Sequence, residues 1–160
     1  MQFSEIEGWT AVNLISWLDG KLGTLDLSQP VLRDWLRRVN KVPAFDSEEE
    51  FLCAQVTDQL PDVEFWIRNV ERRSDSFSLP TTLGRFYPDF VALLRDGTRL
   101  VVEYKGQHLL NNPDTKEKQD IGELWAKESN GVFVMPSIPS GTRERKNCIE
   151  QAIMGAIANV

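Results

Sequence analysis

The chain has few of the residues on which several common kinds of functional site depend. It contains one histidine and two cysteines in 160 residues. A lone His108 argues against a histidine-rich zinc site and against a Ser-His-Asp hydrolase. Cys53 and Cys148 lie far apart and lack metal-ligand spacing, so we interpret them as reduced, buried thiols of a cytoplasmic protein. Because no apolar run reaches membrane-spanning length and the first residues do not resemble a signal peptide, we expect no membrane partner.

Length and composition are typical of one ordinary globular domain. The 160 residues are 41% apolar and 26% charged, with a formal net charge of −6. This charge counts against a simple nucleic-acid-binding module, which is usually basic. Acids are concentrated at residues 46–50, however, while arginines cluster in the middle of the chain. An acidic metal site would lower the net charge without excluding DNA, because a bound ion restores positive charge locally.

The pattern along the chain predicts an α/β domain with helices packed against a sheet. Apolar spacing predicts helices over 9–18 and 30–39, and we interpret 1–42 as a helical preface that is too short for a core of its own. Residues 71–84 are polar and rich in turn formers. For the main domain, 43–160, we predict three helices: one from Asp46 or Ser47 to about Gln59, one capped by Asp114 or Thr115 and ending near Glu128, and one over 143–158. We predict four strands, over 63–70, 86–94, 99–105 and 131–135.

The stretch from Phe86 to Gly106, FYPDFVALLRDGTRLVVEYKG, places charged residues inside strand-like apolar runs. Asp89, Glu103 and Lys105 are costly there unless something pairs with them. Because side chains alternate along a strand, Glu103 and Lys105 share one face while Tyr104 points to the other.

The turn between the two strands decides whether the carboxylates meet. A three-residue loop at 95–97 pairs Leu94 with Thr98 and sets Asp89 opposite Glu103. A two-residue Asp-Gly loop would instead shift the register by one residue and turn Asp89 to the wrong face. We therefore predict the three-residue loop or a compensating bulge.

Two adjacent carboxylates repel each other and destabilise a fold unless a cation lies between them. Mg²⁺ suits such a site, with Mn²⁺ as a substitute, and the backbone carbonyl of Tyr104 is a further candidate ligand beside Asp89 and Glu103. Lys105, ~7 Å along the strand from Glu103, would orient an attacking water or neutralise charge on the phosphate. The residues thus predict phosphodiester hydrolysis, with Asp89, Glu103 and Lys105 as catalytic residues.

These residues match a known signature. Pro88-Asp89 followed by Glu103-Tyr104-Lys105 resembles the PD-(D/E)xK nuclease motif. FWIRNVER, FYPDFVALLRDG, LVVEYKG and TKEKQDIGELWA resemble the C-terminal endonuclease domain of type III restriction enzymes and related restriction helicases, over roughly residues 46–135. The resemblance implies a restriction-endonuclease-like mixed central sheet flanked by helices, and metal-dependent cleavage of double-stranded DNA. It also implies an acidic residue on the preceding helix at the metal site, either Glu50 or Glu49, although a helix-dipole role suits Glu50 equally well.

The resemblance also bears on partners. No GxxxxGK[ST] loop occurs in the sequence, so a helicase is absent. The chain is then either a stand-alone nuclease or the C-terminal part of a helicase-nuclease, and the helical preface favours the second. Expected partners are double-stranded DNA, a helicase or translocase domain and a modification or specificity subunit.

The candidate DNA contacts are basic or amide side chains of the main domain, namely Arg68, Arg72, Arg73, Arg85, Gln107, Lys116 and Lys118. The alternative for the arginines is a solvated surface position, and the alternative for Lys116 is an i,i+4 pair with Asp120.

Plainer interpretations stand beside these. Asp89 would start a strand after Pro88 or cap a turn, and Glu103 with Lys105 would be a solvated pair on an edge strand. The rival functions are a non-catalytic DNA-binding or protein-docking module that keeps the nuclease fold, and a structural domain whose preface docks a motor domain.

Overall fold

The computed structural model describes residues 47–69, 71–72 and 76–160. The predicted helical preface at 1–42, the alternative cap Asp46 and the candidate DNA contact Arg73 lie outside the described residues. The described elements, in chain order, are α1 (Glu48–Gln59), β1 (Val63–Arg68), β2 (Leu79–Thr81), β3 (Gly84–Phe86), β4 (Phe90–Leu94), β5 (Arg99–Val102), α2 (Pro113–Ser129), β6 (Val132–Val134) and α3 (Arg145–Ala158).

The main sheet is mixed and has the strand order β1-β4-β5-β6. Strands β1, β4 and β5 pair antiparallel, whereas β6 pairs parallel to β5 after the crossover through α2. Helices flank this sheet, so the predicted α/β class is confirmed. Because β5 lies between two other strands, the edge-strand interpretation of Glu103 and Lys105 is wrong.

Alternation of side chains gives the sheet two apolar faces, each covered by helices. On one face Phe90 and Val102 pack in a core with residues of α1 and α3, including Cys53 and Ile149. On the other face the ring of Phe133 lies against α2. A Cβ at Gly122 would be 2.4 Å from that ring, so this close approach of helix and strand needs a glycine. No helix in the described residues is both long and apolar enough to cross a membrane.

The helix starts show which capping predictions were right. Ser47 caps α1, its hydroxyl accepting a hydrogen bond of 3.1 Å from the backbone N–H of Glu50. For α2 the predicted caps Asp114 and Thr115 are wrong. Asn112 caps this helix instead, its side-chain oxygen accepting from the backbone N–H of Asp114 at 3.0 Å. The helix starts earlier because Pro113, whose missing N–H costs nothing in the first turn, occupies the first helical position.

The predicted strand over 86–94 is interrupted. Phe86 pairs with Leu79 in a separate two-stranded hairpin, β2–β3, which sequence reasoning missed within the polar region 71–84. Strand β4 begins only at Phe90. Strand β5 ends at Val102 rather than at residue 105, although the backbone continues to bond to the β6 side.

Candidate active site

The turn between β4 and β5 has the predicted three-residue form. The backbone N–H of Leu94 donates to the carbonyl of Thr98 at 2.8 Å, and the N–H of Gly97 donates to the carbonyl of Leu94 at 2.9 Å. Gly97 has φ +88°, a conformation that favours glycine. The residue pairing that this loop sets continues along the full length of β4 and β5.

At the open end of the hairpin this register brings the two predicted metal ligands together. Phe90 pairs with Val102, so the next pair outward is Asp89 and Glu103. The backbone N–H of Asp89 donates to Oε2 of Glu103 at 3.1 Å, and the N–H of Tyr104 donates to Oδ2 of Asp89 at 2.8 Å. The Glu103 carboxylate is therefore fixed by the backbone of Asp89, and the Asp89 carboxylate is fixed by the backbone of Tyr104, the residue after Glu103.

Lys105 joins the same face. Its Nζ lies 2.9 Å from Oε1 of Glu103, and its side chain is 14% exposed. Tyr104 packs on the opposite face, against the core shared with α1 and α3, as alternation predicted. The N–H groups of Glu103 and Lys105 donate to carbonyls of Val134 and Pro136. Because successive peptide groups point to opposite sides of a strand, the carbonyl of Tyr104 faces the side of Asp89.

The electrostatics of the pair reflect an excess of buried negative charge. Burial, the charge of Glu103 and that of Glu50 raise the pKa of Asp89 to about 9. Burial also raises the pKa of Glu103, although Lys105 opposes that shift. Burial acts to lower the pKa of Lys105, but Glu103 and Asp89 outweigh it and raise that pKa. The environment therefore favours either a proton on Asp89 or another cation beside it.

Helix α1 contributes acidic residues at one side of the pair. Glu50 is buried, and its Oε1 lies 2.9 Å from Nη2 of Arg68. Glu49 instead lies 3.3 Å from a guanidinium nitrogen of Arg145. Of the two alternatives, Glu50 is the one whose charge acts on Asp89, and this favours it over Glu49. Arg68, a predicted DNA contact, has a side chain that is only 16% exposed and that pairs with Glu50 inside the protein.

A groove of about 1050 Å³ opens above the carboxylates and Lys105. Four predicted DNA contacts line it, namely Arg72, Arg85, Gln107 and Lys118, whereas the exposed Lys116 is not among its lining residues. The side-chain carbonyl of Gln107 accepts from the hydroxyl of Ser140 at 2.7 Å. The i,i+4 ion pair found on α2 joins Lys118 to Asp114 at 2.7 Å.

Asn69 is a residue of the site that sequence reasoning missed. It is 4% exposed, and its amide nitrogen donates to the carbonyls of Phe77 at 2.7 Å and Pro88 at 2.9 Å. Its side-chain oxygen accepts from the N–H of Phe77 at 3.0 Å, and its own N–H donates to the carbonyl of Asp89 at 2.8 Å. Asn69 thus fixes the backbone that carries Asp89. The available signal was an amide directly after a buried strand, where a backbone partner is usually needed.

The two cysteines are free, as expected. Cys53 is buried as predicted, whereas the prediction of a buried thiol is wrong for Cys148, which is partly exposed. Burial, followed by the charges of Asp89, Glu50 and Glu103, raises the pKa of the Cys53 thiol. The Cys53 thiol is therefore part of the packed core next to the site, and it stays protonated.

Comparison with protein-family models, with curated proteins and with solved structures found no match. Within the described residues, no group of three or more His, Cys, Asp or Glu side chains is arranged to hold a metal ion. A metal at this site would therefore rely on Asp89, Glu103, a peptide oxygen, water and substrate. That set of hard oxygen donors, with only one or two carboxylates, is the one that Mg²⁺ commonly uses in phosphate chemistry.

Proposed function

We propose that this chain is a Mg²⁺-dependent DNA endonuclease domain of the PD-(D/E)xK class, with a restriction-endonuclease-like fold. The observation that carries the proposal is the pairing of Asp89 with Glu103 at the open end of the β4–β5 hairpin, with Lys105 on Glu103. Charged groups are seldom buried together in this way without a chemical use.

The roles follow from the chemistry of each group. Asp89, Glu103 and the carbonyl of Tyr104 would hold Mg²⁺ or Mn²⁺, while Glu50, which is paired with Arg68, would act on the site through its charge rather than as a ligand. When bound, the ion supplies a Lewis acid that lowers the pKa of water and offsets charge on the phosphate. Lys105, whose ammonium is held by Glu103, donates hydrogen bonds to the attacking water or to the phosphate oxygens.

The substrate in this proposal is double-stranded DNA, bound through its phosphates in the groove. Arg72, Arg85 and Lys118 supply positive charge along that groove. The resemblance to type III restriction enzymes extends the proposal to a helicase or translocase domain and a specificity subunit, which would locate and read the DNA sequence.

Plasmid cleavage tests the proposal. The wild type is expected to nick or linearise plasmid DNA in Mg²⁺ or Mn²⁺ and not in EDTA. Asp89→Asn and Lys105→Ala should abolish this activity, whereas Arg95→Ala, at the far end of the same hairpin, should retain it. Equal cleavage by all four proteins would show that the nuclease activity comes from another source.

A second candidate is a non-catalytic DNA-binding or protein-docking module. The ion pairs of Lys105 with Glu103 and of Arg68 with Glu50 favour it, because they partly balance the buried charge without a metal. This alternative predicts that the wild type binds DNA or a protein partner but neither cleaves DNA nor binds Mg²⁺.

A further inference from the structure

The imidazole of His108 lies directly against Gly106, one residue after the catalytic Lys105. A Cβ built on Gly106 would be 2.9 Å from Cε1 of His108 and 3.1 Å from its Nδ1. Gly106 has φ −61° and ψ 141°, which any residue adopts, so the backbone itself does not require a glycine here. A side chain at Gly106 would instead displace the ring of His108 from its present position.

The segment that carries His108 is held in place. The N–H of Leu109 donates to the carbonyl of Gly106 at 2.9 Å, which closes a tight turn around the histidine. The side-chain carbonyl of Gln107 accepts from both the N–H and the hydroxyl of Ser140, at 2.5 and 2.7 Å. These contacts tie the turn to a second loop, around Ser140, that also lines the groove.

The position of the His108 ring in the groove suits it to substrate binding. His108 is exposed and lines the same groove as Asp89, Glu103 and Lys105. Several cations of the groove already contact carboxylates: Lys105 contacts Glu103, and Lys118 contacts Asp114. An imidazole N–H is a hydrogen-bond donor that suits a phosphate oxygen.

We propose that His108 is a substrate-binding residue that donates a hydrogen bond to a DNA backbone phosphate on the Lys105 side of the groove. Gly106 positions the ring by leaving space for it. The inference rests on the proposed nuclease function and adds one DNA contact to it.

A double-mutant cycle tests both parts. His108→Ala should raise KM for plasmid cleavage about tenfold, the effect of losing one hydrogen bond to a charged group, with kcat within about twofold because the contact binds ground state and transition state alike. Gly106→Ala should raise KM in the same direction because its methyl group displaces the ring. In the His108→Ala background, Gly106→Ala should have no further effect, since the space is then empty.

Controls separate this inference from the proposed function. Asn111→Ala, an exposed change in the same loop, should leave KM unchanged, and all variants should keep the wild-type Tm. If His108→Ala leaves KM unchanged while Asp89→Asn is inactive, the contact is overturned and the nuclease stands. If Gly106→Ala raises KM equally with and without His108, the positioning role is overturned. A wild type that neither cleaves DNA nor binds a short duplex in Ca²⁺, by fluorescence anisotropy, overturns both proposals.

Discussion

The two ends of the β4–β5 hairpin handle charge in opposite ways. At the closed end, Arg95 pairs with Glu64 at 2.6 Å, and the arginine side chain is 43% exposed. At the open end, the carboxyl groups of Asp89 and Glu103 lie side by side with one ammonium, that of Lys105, on Glu103, which is only 6% exposed. A partly exposed ion pair such as that of Arg95 is common on stable protein surfaces. Adjacent buried carboxyl groups lower the stability of a fold, so stability alone does not explain the open end. The difference supports the proposal that the open end is the functional end.

Substitution at each end gives the largest contrast. Asp89→Asn removes a proposed metal ligand and should lower the rate of plasmid cleavage by at least ~1000-fold, since metal binding supplies several kcal/mol of transition-state stabilisation. Arg95→Ala should leave the rate unchanged and cost less than ~1 kcal/mol of unfolding free energy. Comparable losses of activity in the two variants would remove the distinction between the ends.

We expect the side chain of Asn69 to stabilise the backbone at the open end of the hairpin. Asn69→Ala leaves the buried carbonyl of Pro88 and both backbone groups of Phe77 without this partner. We expect a loss of about 2–3 kcal/mol in the free energy of unfolding, measured by urea denaturation. A loss below ~0.5 kcal/mol would mean that water or a backbone shift replaces these bonds.

The pH dependence of stability provides a third test, in metal-free buffer. Burial and the neighbouring charges of Glu103 and Glu50 raise the pKa of Asp89 from 3.8 to about 9. Between these values the folded protein keeps a proton that the unfolded chain has released, so this group makes the unfolding free energy fall as pH rises. Relative to Asp89→Asn, the wild type should lose at least ~1 kcal/mol between about pH 5 and pH 8. Parallel profiles for the two proteins would contradict this assignment.

The last prediction concerns the turn at the closed end, where we expect stability to change and activity to be retained. Gly97→Ala places a side chain at φ +88° and should cost about 1–2 kcal/mol of stability, while cleavage by the folded fraction is retained. Gly155→Ala is the matched control, because a Cβ there meets nothing within 4 Å and α3 gains helix propensity. If Gly97→Ala abolished cleavage without unfolding the protein, the turn would have a direct role at the site.

Turn chemistry alone allowed two registers, and the requirement that Asp89 and Glu103 share a face selected the three-residue loop, which the structure has. One left-handed glycine in the 95–97 loop sets which residues face each other along both strands, and alternation then places Asp89 beside Glu103. The positions of Glu103, Tyr104 and Lys105 relative to the sheet follow from the same rule.

Other features depend on contacts distant in sequence and could not be predicted. The β2–β3 hairpin lies in a polar stretch that lacks strand-like alternation, and Phe86 is recruited to it by pairing with Leu79. The role of Asn69 arises because Pro88 lies beside it only after β1 and β4 pair. The internal pairing of Arg68 with Glu50 likewise follows from the packing of α1 on β1.

Metal binding by the carboxylate pair is the central claim, and isothermal titration calorimetry with Mg²⁺ and Mn²⁺ tests it most directly because it needs neither DNA nor a partner protein. The wild type should bind the ion and Asp89→Asn should not, with circular dichroism confirming that the variant is folded. Equal binding by the two proteins, or none by the wild type, would contradict the claim that the open end of the hairpin is a metal site.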